Sequence, residues 1–222
     1  MAVRILVYVF RSLDKYLKFA IISYSAGNIS YRTHLLFIRN SRSRYTTAIV
    51  SGSTMPSDKN RLYLALYARG GQGYHWALPV GPKHEDVNTS GKRYHAKLHM
   101  LQWRYDELDI PMAATNMILV RVLAAKVKRM DRLESIMRSV PVRPDVPDWT
   151  CRSWVEEAYK KLQSDGKATG SCPDWETLSN TALWYVQKKM EEHRFDGLAP
   201  PGQFSTWQVS TWTMVEGQEL IL

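Results

Sequence analysis

From residue 61 onward, the order of the hydrophobic patterns is what most constrains the fold. Short β-prone runs come first and are separated by glycine, proline or polar turns, as in RLYLALYARGG, YHWALPVGP, GKRYHAKLHM and WRYDELDI. MILVRVLAAKV fits a strand or a helix equally well. In MDRLESIMRSV, apolar residues recur at spacings of three and four, which predicts a helix over 130–140. Strands followed by helices predict an α+β fold in which a small antiparallel sheet packs against helices.

Two further helices are predicted after a proline-rich stretch, PVRPDVPDW, which cannot itself be helical. The first lies in DWTCRSWVEEAYKKLQSDG, with Asp148 or Thr150 as its N-cap and Gly166 at its end. The second begins at the segment CPD, near Asp174. After Gly197 the tail is rich in Pro, Gly, Trp and Thr, and QFSTWQVSTWTMV is expected to add an edge strand.

Charge divides the chain near Met55. Residues 1–54 hold eight Lys and Arg but a single acid, a net charge of +7, whereas the remaining 168 residues carry +2. The polar, turn-rich segment SGSTMPSDKN lies at the change. We therefore predict a basic, poorly ordered leader over 1–54, a core domain over 55–170, and a C-terminal helix and tail over 171–222.

This distribution also limits the partners and the compartment. The nearly neutral body lacks the basic face expected of a nucleic-acid-binding domain, so no nucleic-acid partner is predicted. Charges interrupt every apolar run of the leader, which argues against a membrane anchor or a secretory signal. The two cysteines suggest neither a disulfide framework nor a zinc site. We expect a cytoplasmic protein, although the acid-poor, Arg- and Ser-rich leader also resembles a mitochondrial one.

Three residues are candidates for thiol chemistry. Cys151 lies in the first turn of a predicted helix, where amide N–H groups and the helix dipole favour a thiolate and should lower the thiol pKa. A nucleophilic cysteine needs a base and a group that orients the base, and His75 and His95 lie on successive predicted strands. Each residue also has a simpler interpretation, because buried cysteines are usually small hydrophobes and strand histidines usually packing residues. His95 and His99 lack a second ligand pair, so neither a metal nor a cofactor is predicted.

The segment HWALPVG resembles the histidine block of the circularly permuted papain-like thiol enzymes, the NlpC/P60 superfamily that includes lecithin:retinol acyltransferase. In that family a polar residue on the next strand follows, and the nucleophilic cysteine comes last, at a helix start. The order here is the same: His75 in HWALPVG, His95 in RYHAKL and Cys151 in TCRSWV. The resemblance covers residues 61–165 and extends to fungal proteins whose chains begin near the equivalent of Met55.

The resemblance implies a permuted papain-like fold and a catalytic set of Cys151, His75 and His95. Two departures affect this expectation. Pro79 replaces the usual aromatic residue and removes a backbone donor, which suggests an edge strand or a bulge, and Thr150 stands where relatives have Asn. No hydrophobic C-terminal anchor follows the core.

Two functions follow from these residues. The first is a cysteine-dependent hydrolase or acyltransferase that acts on an ester, thioester or amide through an acyl-enzyme on Cys151. Its substrate would be a small molecule, a lipid or a peptide. The alternative is a non-catalytic papain-like binding or accessory protein, for example in a fungal secondary-metabolite pathway.

Overall fold

The computed structural model describes residues 59–222 in full and, ahead of them, only the backbone of three strands. These strands, Arg4–Arg11 (β1), Leu17–Ser25 (β2) and Asn28–Leu36 (β3), form an antiparallel sheet in the order β1-β2-β3. The chain divides into two compact units, Met1–Ser53 and Thr54–Leu222, close to the boundary expected from charge. The prediction of a poorly ordered leader over 1–54 lies, apart from these strands, outside the described residues.

The second unit is built on a seven-stranded sheet with the order β10-β9-β8-β4-β5-β6-β7. Its strands are Arg61–Tyr67 (β4), His75–Gly81 (β5), Ser90–His99 (β6), Gln102–Pro111 (β7), Ile118–Lys126 (β8), Ser210–Thr213 (β9) and Gln218–Ile221 (β10). All neighbours are antiparallel except β8 and β9, which run parallel. The ambiguous segment MILVRVLAAKV is therefore a strand, and it pairs on both sides.

Three helices follow the strands: Met130–Arg138 (α1), Cys151–Asp165 (α2) and Trp175–Glu191 (α3). Thr150 is the N-cap of α2, and its N–H donates to Ser153 Oγ at 3.1 Å. Gly166 ends α2 in the left-handed conformation at φ 62°, which a side chain would disfavour. Asp174 caps α3 by accepting the Thr177 N–H at 2.8 Å. The helix starts are the ones that the sequence predicts.

The predicted α+β class is confirmed, but the sheet is larger than expected and mixed rather than purely antiparallel. The tail causes both differences, because β9 adds parallel to β8 and β10 then pairs with β9. The tail is thus part of the same compact unit and the same sheet as residues 59–170. The strand expected in QFSTWQVSTWTMV is β9, but it is not the edge strand that was predicted, because β10 pairs with its other side. Its parallel pairing with β8 has no local sequence signal, since that partner lies some 90 residues earlier in the chain.

The helices cover one face of the sheet. Alternate residues of β4, Leu62, Leu64 and Leu66, join the helix-side core, which also contains Trp154 and Tyr185. The intervening residues of β4, namely Tyr63, Ala65 and Tyr67, lie on the opposite face and are buried too. Strand β4 is therefore apolar on both sides, as expected for a central strand.

The expectation that Pro79 marks an edge strand or a bulge is wrong, because β5 lies between β4 and β6 and its pairings with them show no register shift. The register of β5 with β4 is unshifted on either side of Pro79, from Leu62↔Val80 to Ala65↔Ala77, but the intervening residues do not pair. The proline thus interrupts the ladder locally, because it has no N–H to donate.

Within residues 59–222, no helix has the length and the apolar character needed to cross a membrane.

Candidate active site

The structure brings two of the three predicted site residues into direct contact. His75, the first residue of β5, and His95, in the middle of β6, place Nε2 and Nδ1 2.5 Å apart. Their rings meet edge to face, with centroids 4.8 Å apart. Strands β5 and β6 pair only from Leu78 to Val80, so the two imidazoles meet where the strands have separated. His75 is half-buried, whereas His95 is 3% exposed.

A carboxylate lies behind the histidine pair. Asp106 is directly opposite His95 in the register of β6 and β7, and its Oδ2 is 3.4 Å from His95 Nε2. This distance is long for a hydrogen bond, and the alignment leaves His95 Nε2 without a partner of normal geometry. Lys97 Nζ donates to the same carboxylate oxygen at 2.5 Å. Burial raises the pKa of Asp106, but Lys97 and His95 together lower it more, so the net pKa falls below its ordinary value and the group is an anion.

This arrangement determines the protonation of both imidazoles. A carboxylate can only accept, so the proton of neutral His95 belongs on Nε2, facing Asp106. His95 Nδ1 is then an acceptor, and the short contact requires His75 Nε2 to donate to it. His75 Nδ1 is left without a proton. The nitrogen of His75 that does not face His95 is therefore the basic one.

Cys151 is the first residue of α2, and its side chain is 2% exposed in the helix-side core. The thiol lies within reach of the N–H of Trp76, the residue that follows His75 on β5, and of the N–H groups of Cys151 and Arg152. The Arg152 guanidinium lies over the Trp76 ring, 5.2 Å from its centroid, which also ties the start of α2 to β5. These contacts place the thiol beside the backbone of β5 at Trp76.

The directions of the pKa shifts indicate that the thiol and both imidazoles are uncharged at rest. Burial raises the pKa of the Cys151 thiol, and this outweighs the three N–H groups and the charge of Arg69, which lower it. The expectation of a thiol with a lowered pKa is therefore wrong, because desolvation exceeds the effect of the helix start. Burial, followed by the charges of Arg93 and Arg69, lowers the pKa of His75 to about 4. Burial likewise lowers the pKa of His95.

Successive side chains of β5 point to opposite faces of the sheet, and this places His75 and Cys151 on different faces. His75 lies opposite Tyr67 of β4 and shares its face, with ring centroids 6.1 Å apart, whereas Trp76 points into the helix-side core with Cys151. Among residues 59–222, no hydrogen bond joins the thiol to His75. The thiol and the imidazole would therefore have to meet beyond the N-terminal end of β5, where His75 lies, and their approach to about 3–5 Å stays a prediction.

Sequence reasoning missed four residues around this site: Tyr67, Arg69, Arg93 and Asp106. Asp106 was visible in WRYDELDI, but only the register of the β6–β7 hairpin reveals that it faces His95. Arg93 and His95 are two apart on a strand, so their shared face could have been predicted. His99 is exposed near the hairpin turn, and no group of three or more His, Cys, Asp and Glu suited to a metal occurs in the described part of the chain.

Comparison with known proteins matches this chain to a family of unknown function. The family described as "Family of unknown function (DUF6914)" matches residues 59–221, which spans the sheet, the three helices and the tail. No curated protein matches the chain. No solved structure matches it either.

Proposed function

The chain belongs to the Family of unknown function (DUF6914), and from its site we propose that it is a cysteine-dependent hydrolase or acyltransferase. The contact between His75 Nε2 and His95 Nδ1 carries the proposal, since it leaves His75 Nδ1 as the basic nitrogen. His75 directly precedes Trp76, and the Cys151 thiol lies beside the Trp76 N–H. A permuted papain-like fold, with His75, His95 and Cys151 in that chain order, is part of the proposal.

The reaction begins when the Cys151 thiol attacks the carbonyl carbon of an ester, thioester or amide. His75 Nδ1 takes the thiol proton as the sulfur–carbon bond forms, and His95 with Asp106 stabilises the resulting imidazolium. The N–H groups near the thiol, those of Cys151, Arg152 and Trp76, are the candidate donors to the oxyanion. His75 then gives the proton to the leaving alcohol, thiol or amine, and the acyl group remains on Cys151.

Deacylation reverses the proton transfers. Water or an acceptor amine attacks the thioester, its proton passes to His75 Nδ1, and the proton then returns to the Cys151 sulfur as the acyl group leaves. Because both groups are neutral at rest, His75 acts here as a general base during attack rather than as one half of a preformed ion pair. Both cysteines are free thiols, which suits the reducing cytoplasm that we propose as the site of action.

The environment of the Cys151 thiol also favours a second function. The thiol is almost fully buried, its pKa is raised, and within residues 59–222 it has no hydrogen bond to His75. These features also fit a papain-like protein that binds a ligand without turning it over. In that case Cys151 is a small packing residue at the start of α2.

Intact-mass measurement after incubation with ester, thioester and amide acyl donors separates the two functions. We expect one acyl group on the parent protein and none on Cys151→Ala. Cys172→Ala is the matched control: Cys172 is a second free thiol, held against Thr169 Oγ1 at 3.2 Å and away from the histidine pair, so its loss should leave the adduct unchanged. Absence of an adduct with every donor, or an adduct on Cys172, would count against the enzyme.

A further inference from the structure

Two buried polar atoms without a hydrogen bond of normal geometry, Tyr67 Oη and Arg93 Nε, lie close together on the face of the sheet that carries the histidine pair. Tyr67 is 5% exposed, so water does not replace its missing partner at low cost. The Arg93 guanidinium lies over the Tyr67 ring, 5.1 Å from its centroid, and Tyr67 in turn lies against His75.

The same place carries an uncompensated positive charge. The charge of Arg93 lowers the pKa of both histidines. Arg69 lies just beyond the end of β4, and its charge lowers the pKa of His75 and of Cys151. Among residues 59–222, neither arginine has a carboxylate partner. An arginine without a carboxylate partner, stacked on a buried phenol that lies against a histidine, suits an anionic ligand.

We propose that Tyr67, Arg69 and Arg93 form an anion site, and that the substrate of Cys151 is an acyl compound carrying a carboxylate or phosphate group close to the reacting carbonyl. This inference rests on the proposed function. Tyr67 Oη and the guanidinium of Arg93 donate to the bound anion, and Arg69 closes the site from the solvent side, where it is exposed.

Anion binding also explains how Cys151 and His75, both neutral at rest, become reactive. The charges of Arg93 and Arg69 both oppose protonation of His75, after the larger effect of burial. An anion between the arginines cancels this opposition, so the pKa of His75 rises and His75 becomes a stronger base when the substrate is bound. A neutral substrate of the same shape would leave His75 a weak base.

The site can be tested with two alkylating agents that differ in charge. Iodoacetate and iodoacetamide both form a bond from Cys151 Sγ to carbon and release iodide, but only iodoacetate carries a carboxylate. We expect Arg69→Gln and Arg93→Gln each to lower the ratio of the iodoacetate rate to the iodoacetamide rate about tenfold, since this ratio cancels the effect of each arginine on the thiol and on His75. Arg104→Gln, an exposed arginine that donates to Gln102, is the matched control and should leave both rates unchanged.

A second measurement does not depend on thiol reactivity. In Cys151→Ala protein at constant ionic strength, millimolar succinate or inorganic phosphate should raise the melting temperature, and adding Arg69→Gln or Arg93→Gln should abolish the shift. Whichever anion acts at lower concentration identifies the substrate group. Arg69 is exposed, so its replacement leaves folding intact even if Arg93→Gln does not.

Equal iodoacetate-to-iodoacetamide ratios in the parent and both variants, together with the absence of an arginine-dependent shift in melting temperature, would overturn the anion site. Failure of the proposed function has a different signature. In that case acyl donors leave no adduct on Cys151, whereas the arginine-dependent stabilisation by anions persists.

Discussion

At the scale of single residues, the proposed site depends on a relay of three side chains, His75, His95 and Asp106, rather than on one histidine. Each member sets the proton position of the next through a contact between ring nitrogens or with a carboxylate oxygen. Asp106 is far from the proposed reacting atoms and acts through His95, so it is a positioning residue. Such partners tune a base by fixing its tautomer and stabilising its charged form.

We therefore expect His95→Ala to lower the rate of acylation of Cys151 about 100-fold without unfolding the protein, because an unoriented imidazole is a poor base. Asp106→Asn should lower it about tenfold, since the amide no longer fixes the His95 proton on Nε2. Single-turnover acylation, measured by mass from pH 5 to 9, checks both variants. A positioning role predicts a changed pH profile as well as a lower rate.

Asp109→Asn is the control for this experiment, because Asp109 is an exposed acid on the same strand. It should behave as the parent does. Profiles of His95→Ala that superimpose on the parent would remove His95 from the site. If Asp106→Asn alone matched the parent, the relay would end at His95.

At the scale of elements, the β6–β7 hairpin has an unusual turn. His99 pairs with Gln102, so Met100 and Leu101 form a two-residue turn, and both have positive φ, 48° and 63°. Positive φ at both central residues is the geometry of a type I′ turn, which favours Asn-Gly. The two side chains are 82% and 92% exposed, so packing does not offset the backbone strain.

Replacing Met100 and Leu101 together by Asn and Gly should stabilise the protein by about 1–3 kcal/mol, because it relieves two left-handed conformations of bulky residues. The melting temperature should rise by several degrees. Met117→Asn tests the effect of removing an exposed apolar residue at negative φ, and no comparable rise is expected from it. A lower melting temperature for the hairpin variant would show that Met100 and Leu101 make stabilising contacts.

At the scale of the whole molecule, the tail is tied to the rest of the unit by buried polar contacts. Lys189 of α3 is fully buried and pairs with Glu219 of β10 at 2.5 Å and with Glu192 at 2.7 Å. The Tyr185 hydroxyl also donates to Glu219. Removing the tail would strip Lys189 of one partner and uncover the edge of β8, and removing α3 as well would expose the Tyr185 side of the core.

Residues 55–222 expressed alone should therefore unfold in one cooperative thermal transition, whereas residues 55–170 should not. Calorimetry of the two fragments provides the test. A cooperative transition in 55–170 would mean that α3, β9 and β10 are accessory to the core. Loss of cooperativity in 55–222 would instead show that the first 54 residues belong to it.

The sequence by itself determined the local elements and the order of the candidate residues. Periodicity and turn residues are local signals, so they were sufficient for β4 to β7, for the start of α2 at Thr150 and for the start of α3 at Asp174. The resemblance of HWALPVG to a known histidine block, not periodicity, singled out His75 and His95, which the fold then brings into contact. The fold class followed because strands that precede helices have few ways to pack.

Tertiary structure decided what depends on distant neighbours and on burial. It placed Asp106 behind His95 through the register of a hairpin, and it added β9 parallel to β8 through a partner 90 residues away. It also reversed the expected direction of the Cys151 pKa. A helix start can be recognised from sequence, but desolvation depends on every chain segment that packs around the thiol, and no local pattern records that.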